Sequence, residues 1–114
     1  MSAQQPKETS VSIVIVATAF PKPEYRGEVI AAFEQAEEAV HAAEDGCLLY
    51  ALHEASDGSL VMIEKYADQA AFEAHGTGDG LKALVADLKG KLAERMGVQI
   101  LTPHPAGQPE KGAL

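Results

Sequence analysis

The segment Cys47–Tyr66, CLLYALHEASDGSLVMIEKY, contains two apolar stretches separated by a short polar one. Cys47–Glu54 and Leu60–Tyr66 are rich in aliphatic and aromatic residues, which is typical of strands. The Asp57-Gly58 pair between them is a strong hairpin signal, because a type I′ turn needs positive φ at both central residues. The segment therefore predicts an antiparallel β-hairpin.

The turn also predicts a register for this hairpin. If Asp57-Gly58 is a two-residue loop, His53 faces Met62 and Leu49 faces Tyr66. One face of the hairpin then combines apolar and ionisable side chains: Cys47, Leu49, Ala51, His53, Leu60, Met62, Glu64 and Tyr66. His53 and Glu64 are diagonal neighbours on that face, within reach of each other.

Periodicity and turn residues predict the elements on both sides of the hairpin. They are a strand over 11–20, a helix over 24–44, a short helix from Asp68 to His75, a helix over 81–95 and a strand over 98–101. The order β-α-β-β-α-α-β is the ferredoxin-like split βαβ arrangement of the α+β class, with its second helix broken in two. Between the two shorter helices, Gly76–Gly80 is expected to be an irregular, mobile lid.

Length, charge and cysteine content restrict the class of protein. The 114 residues suit one domain, which we place at 11–101, after a flexible leader at 1–10 and before a Pro/Gly-rich tail at 102–114. A net charge of −8 argues against nucleic acid or an anionic membrane as a partner. A single cysteine and the lack of a long apolar run favour a cytoplasmic protein.

The strands are apolar on both faces, although a sheet with one face in water normally alternates. Ile13 and Ile15 oppose Val14 and Val16, for example. The helices cover one face, so we expect a second copy of the chain to cover the other, giving a homodimer joined through its sheets. The alternative is that the helices or the proline-rich tail wrap both faces.

Four residues are candidates for catalysis: His53, Glu64, Tyr66 and His75. Leu49, Met62 and Phe72 are the expected walls of a small-molecule pocket. Histidine is the natural general base near neutral pH. Structural roles remain open for all four residues. Glu64 can bond to backbone amides or to a helix terminus, and His53 can be a half-exposed strand residue. Tyr66 can be a core aromatic residue, and His75 can be favoured at a helix C-terminus.

The sequence predicts no metal site and no cofactor. The four histidines lack zinc-like spacing. Gly76–Gly80 follows a helix and lacks the Gly-Lys-Ser/Thr ending of a phosphate loop, and no dinucleotide fingerprint is present. A flavin bound by other means stays open.

Three motifs resemble those of the antibiotic biosynthesis monooxygenase (ABM) family: Glu44–Tyr50 (EDGCLLY), Glu64–Asp68 (EKYAD) and Ala71–His75 (AFEAH). The resemblance spans about residues 11–101 and implies a dimeric ferredoxin-like α/β-barrel. Some members oxidise aromatic quinols with O₂ and no cofactor, whereas others degrade haem or process small signalling molecules. Tyr66 stands where many members have an indole, and His75 matches the helix histidine. The chain has no Trp and no Asn on its first strand, which counts against haem degradation.

These observations predict a cofactor-independent monooxygenase that oxidises a small aromatic quinol or phenol, with His53 or His75 as the base. A non-catalytic dimeric protein that binds a small ligand, or is associated with stress, is the competing class. An isomerase of a phosphorylated sugar-like signal ranks third, because only Lys65, Lys82 and Arg95 are candidates to hold a phosphate.

Overall fold

The structure, a computed structural model, describes residues 11–114; the predicted leader at 1–10 lies outside the described residues. The described residues form four strands, four α-helices and one short 3₁₀ turn. In chain order they are β1 Ile13–Ala19, the 3₁₀ turn Pro23–Tyr25, α1 Arg26–Ala43, β2 Cys47–Glu54, β3 Leu60–Tyr66, α2 Gln69–Gly76, α3 Asp79–Leu88, β4 Gly97–Leu101 and α4 Pro109–Gly112.

The strands form one antiparallel sheet in the order β2-β3-β1-β4. α1 and α3 pack on one face of this sheet and enclose the hydrophobic core, to which Phe33, Met62 and Leu84 contribute. β3 alternates accordingly, because its core-facing residues are buried and the intervening ones are half-buried. The predicted ferredoxin-like α+β fold is confirmed.

Local capping places α2 where the sequence predicts it. The Asp68 side chain accepts a hydrogen bond from the Ala71 N–H, which satisfies a free donor of the first turn. The helix then runs for two turns, to Gly76, and buries His75 near its end. The cap therefore fixes the position of a candidate catalytic residue.

The prediction of a helix over 81–95 is wrong at both ends. α3 begins at Asp79, so only Thr77 and Gly78 separate it from α2, and the predicted irregular segment at 76–80 is not a loop of that length. α3 ends at Leu88, and Gly90 adopts a left-handed φ of 79°. The next residues instead run beside β1, where the Ala93 N–H donates to the Phe20 carbonyl. This tertiary pairing replaces the last helical turns.

The predicted hairpin exists, but its predicted register is wrong by one residue. Ala55 N–H donates to the Ser59 carbonyl and Gly58 N–H donates to the Ala55 carbonyl, which closes a loop over Ser56, Asp57 and Gly58. Gly58 has a φ of 90°, as in the turn that combines a type I turn with a bulge. His53 consequently pairs with Val61 and not with Met62.

The sheet face opposite α1, α2 and α3 carries none of these three helices, and we call it the helix-free face. Its residues on β3, which are Val61, Ile63 and Lys65, are half-buried. The C-terminal segment reaches this face, since the Lys65 side chain donates to the Leu114 carbonyl. At the sheet edge, Ile100 is 63% exposed although it pairs with the buried Ile15.

Among residues 11–114, no helix has the length and apolar character to cross a membrane.

Candidate active site

A cavity of about 210 Å³ lies between the helix-covered face of the sheet and the helices α2 and α3. Its walls are almost entirely apolar, and its ionisable lining residues are Tyr50, Glu64 and His75. Exposed Val85 and Val98 also line it, which places its mouth between α3 and β4. The apolar lining residues are Ile15, Ala17, Phe33, Met62, Phe72, Leu81, Leu84, Val85, Leu88, Met96 and Val98.

His75 lies between two carboxylates. Its Nδ1 is 2.8 Å from Glu44 Oε1, and its Nε2 is 3.9 Å from Glu64 Oε1. The imidazole is 5% exposed, so both interactions are shielded from bulk water. The first distance is a hydrogen bond and the second is too long for one. Within residues 11–114, Nε2 is therefore the ring nitrogen of His75 that has no hydrogen-bonded partner.

Glu64 and Tyr66 form a second hydrogen-bonded pair beside the imidazole. The Tyr66 hydroxyl donates to Glu64 Oε1 over 2.6 Å, from two positions along the same face of β3. Burial raises the pKa of Glu64, and the Tyr66 hydroxyl and His75 oppose part of that rise. Burial and the Glu64 carboxylate raise the pKa of Tyr66 far above its usual range. Tyr66 is consequently a hydrogen-bond donor near neutral pH and does not act as a base.

Aromatic rings restrict the orientation of the imidazole. The ring centroids of Tyr66 and Tyr50 lie 5.1 and 5.4 Å from that of His75, and Phe72 packs against Tyr66 at 5.5 Å. Tilted arrangements at these distances are favourable for aromatic rings. The imidazole is thus held on two sides before any ligand enters.

The structure brings together most of the predicted site residues. Met62, Glu64, Phe72 and His75 line the cavity. Tyr66 lies behind its wall, bonded to Glu64.

His53 and Leu49 lie on the opposite face of the sheet, so the predicted grouping of these two residues with Glu64 is wrong. Their partners on β3 are Val61 and Lys65, which alternate with the buried residues. The exposed His53 ring bonds through Nδ1 to the Ala51 carbonyl, 3.0 Å away. Tyr50 takes the position in the cavity wall that was predicted for Leu49. The physical reason is the one-residue change in register, which exchanges the two faces of β2.

The sequence patterns did not single out Glu44 as a site residue, because it is one of several acids in the helix predicted over 24–44. The EDGCLLY motif, which begins at Glu44, could have identified this residue. It places a carboxylate two positions before Gly46, at the turn into β2. In the structure Glu44 ends α1 and bonds to His75. Glu44 also lines a second, outer cavity of about 370 Å³, whose other walls include Asp45, Cys47 and Asp79.

Neither a nucleophilic thiol nor a metal centre accompanies this site. Burial raises the pKa of the Cys47 thiol to about 11, so it stays protonated near neutral pH. Across residues 11–114, no group of three or more His, Cys, Asp or Glu side chains is arranged to hold a metal ion.

The amino-acid sequence of the chain matches the model of a known protein family. A family model described as antibiotic biosynthesis monooxygenase matches residues 12–87, which is most of the chain. The chain belongs to the antibiotic biosynthesis monooxygenase family. The match includes β1 to β3, α1, α2 and all of α3 except its last residue. It therefore contains the ionisable residues around His75, which are Glu44, Tyr50, Glu64 and Tyr66.

Solved structures include close matches to this ABM chain. A candidate antibiotic biosynthesis monooxygenase from Caulobacter crescentus CB15 is 30% identical with a TM-score of 0.76, over 81% of this chain and 89% of that one. Rv0793 from Mycobacterium tuberculosis is 26% identical with a TM-score of 0.78, over 85% and 99%. SO0527 from Shewanella oneidensis is 26% identical with a TM-score of 0.73, over 82% and 92%. No curated protein matches the ABM chain significantly.

Proposed function

We propose that this chain is a cofactor-independent monooxygenase that oxidises a small aromatic quinol or phenol with O₂. The observation that carries the proposal is the position of His75, a buried imidazole in the wall of an apolar cavity. Membership of the ABM family and the Caulobacter neighbour support a monooxygenase-like role. Since one family carries several activities, the substrate class is argued from the cavity itself.

The cavity favours a small, flat and largely apolar substrate. Its volume of about 210 Å³ is below the roughly 300 Å³ at which pockets for drug-sized ligands begin. That space suits one or two fused rings. None of its lining residues is Lys or Arg, which disfavours the phosphorylated substrate of the isomerase alternative.

In the proposed reaction His75 takes a proton from the hydroxyl of the substrate, which leaves an electron-rich phenolate. The phenolate transfers one electron to O₂, and the resulting radical pair joins to form a carbon–oxygen bond. The imidazolium returns its proton to the peroxide. Loss of water then leaves a new carbonyl, with one atom of O₂ in the product and the other in water. Both electrons and both hydrogens of that water come from the substrate.

The protein contributes a base, desolvation and orientation to this reaction. The apolar walls exclude water from the phenolate and the peroxide. We assign Glu64 to stabilising the imidazolium from 3.9 Å, and Tyr66 to holding that carboxylate through its hydroxyl. Met62 and Phe72 are assigned to the walls that hold the ring.

Oxygen-electrode measurements with a panel of hydroquinones, naphthols and phenols test the proposal. We expect O₂ uptake without release of hydrogen peroxide, and a loss of about 10²- to 10⁴-fold in kcat/KM for His75→Ala, the range typical of a general base. His104→Ala changes an exposed histidine of the C-terminal segment and serves as the matched control. Tight binding of panel members without O₂ uptake would instead support the non-catalytic, ligand-binding alternative.

We further propose that two copies of the chain pair through the helix-free face of the sheet. The argument is that Val61 and Ile63 are apolar but only half-buried in the single chain. Sedimentation is expected to show a particle of about twice the 12.0 kDa chain mass. Ile63→Glu should dissociate it, whereas Ala31→Glu, which adds the same charge on the exposed side of α1, should not. A monomeric wild-type protein would contradict the proposal.

A further inference from the structure

We propose that Glu44 is a positioning residue that holds the proton of His75 on Nδ1 and thereby presents Nε2 as the base on the cavity side. The kinetic part of this proposal rests on the proposed function, whereas the part that concerns the protonation of His75 does not.

The backbone around Glu44 fixes the carboxylate next to the imidazole. Its N–H donates to the Val40 carbonyl as the last bond of α1, and its carbonyl accepts from the Cys47 N–H at the start of β2. The side chain then places Oε1 2.8 Å from His75 Nδ1. Oε2 lies against Gly78, where an added Cβ would be 3.1 Å away. Both carboxylate oxygens therefore have defined surroundings.

A neutral imidazole has one nitrogen that donates and one that accepts. Glu44 can only accept when ionised, so the 2.8 Å contact requires the hydrogen to be on Nδ1. The lone pair is then on Nε2. After His75 takes a proton, the same carboxylate stabilises the imidazolium, so its effect is larger on the charged state than on the neutral one.

The other titratable groups around His75 do not supply this function. Glu64 on β3 lies 3.9 Å from Nε2 and is already bonded to Tyr66. Burial chiefly, with Glu64 and Glu44 adding, raises the pKa of Tyr50 on β2 well above its usual range, so its hydroxyl carries no charge near neutral pH. Cys47 on β2 also remains neutral. Glu44 is thus the carboxylate that is hydrogen-bonded to the ring.

Stability alone gives a weak reason for such a pair. The Glu44 side chain is 15% exposed and that of His75 is 6% exposed, so both partners lose most of their hydration on folding. Buried ion pairs often contribute little net stability for that reason. Glu44 lines the outer cavity and is not among the residues that line the substrate cavity.

Nitrogen-15 NMR of the imidazole rings tests the proposal on the intact protein. In the wild type, long-range ¹H–¹⁵N correlations should show the neutral His75 ring with its proton on Nδ1. Glu44→Gln keeps the shape of the side chain but replaces a pure acceptor with an amide that can also donate, so the neutral ring with its proton on Nε2 should become populated. With a substrate in hand, kcat at neutral pH should fall about 10- to 100-fold with little change in KM.

Glu38→Gln is the matched control, because it removes an exposed acid from the same helix. It should leave the tautomer of His75 and kcat unchanged. A wild-type proton on Nε2, or equal tautomer populations in the two variants, would overturn the positioning role; the first result needs no variant to fold. The expected tautomers without any O₂ uptake would confirm the positioning role and remove the proposed oxygenase function.

Discussion

The helix-covered face of the sheet and its helix-free face are built from similar strand residues but have different properties. On β3, Met62 and Glu64 are nearly inaccessible on the covered face, whereas Ile63 on the other face is half-buried. The two histidines near these strands differ in the same way, since His75 is buried between carboxylates and His53 is exposed. Coverage by α2 and α3, and not the composition of the strands, therefore makes an ionisable group into a site residue.

The largest expected difference between the two faces is in catalysis. His53→Ala should leave kcat/KM within about twofold, because the ring is exposed on the face without the cavity. His75→Ala should lower it by about 10²- to 10⁴-fold. Activity is measured as O₂ uptake with the same substrate. Equal losses in the two variants would contradict the assignment of the active site to the helix-covered face of the sheet.

Stability should show the next largest difference. Met62→Ala removes a side chain that is 1% exposed, so we expect a decrease of about 2–5 kcal/mol in the free energy of unfolding. Ile63→Ala, its neighbour on the other face, should cost about 1 kcal/mol in the monomer, because less apolar area is lost. Urea denaturation of both variants at low protein concentration measures the difference. A larger loss for Ile63→Ala would mean that the helix-free face is the main core.

The hairpin loop that decides which residues share a face should be sensitive to glycine replacement. Gly58→Ala should destabilise the protein by about 1–2 kcal/mol, since Gly58 has a φ of 90°. Gly27→Ala is the control, because Gly27 lies in α1 with no atom near an added Cβ and should gain about 0.5 kcal/mol. Thermal unfolding of the two variants should shift in opposite directions. A neutral Gly58→Ala would contradict the loop conformation.

The pH dependence of stability should give the smallest effect. Burial raises the pKa of Glu64 from its ordinary value of 4.5, so above that pH the unfolded chain has released a proton that the folded chain still holds. Stability therefore falls as pH rises through this window, and Glu64→Gln, which cannot ionise, should flatten that fall. Urea midpoints at pH 5 and pH 7 measure the slope. Glu38→Gln should retain the wild-type slope, and a steeper fall in Glu64→Gln would reverse the sign of this argument.

Local signals were sufficient to predict the elements nearest to the site. β2, β3 and the cap of α2 occur at the predicted residues, because strand propensity and the Asp68 cap act over a few neighbouring residues. The end of α3 was not predictable in this way. Leu92 continues the apolar spacing of a helix, but in the fold it forms a bridge with Pro21, more than seventy positions earlier.

The register of the hairpin shows why the site was only partly predictable. An Asp-Gly pair is compatible with both a two-residue and a three-residue loop. The loop observed is held by contacts within it, from Ser59 to Asp57, and by the Arg26 guanidinium of α1, which donates to the Gly58 carbonyl. The second contact is tertiary. The observed loop is therefore stabilised in part by a residue outside the hairpin.

Sequence patterns predicted the order of the elements from β1 to β4, the apolar character of both sheet faces and the candidacy of Glu64, Tyr66 and His75. These properties follow from side-chain chemistry and from spacing within short segments. Tertiary contacts, in contrast, bring Tyr50 and Glu44 to the site and leave His53 on the other face of the sheet. The reason is that the Glu44–His75 contact joins residues 31 positions apart, and no local pattern encodes a distance of 2.8 Å across that separation.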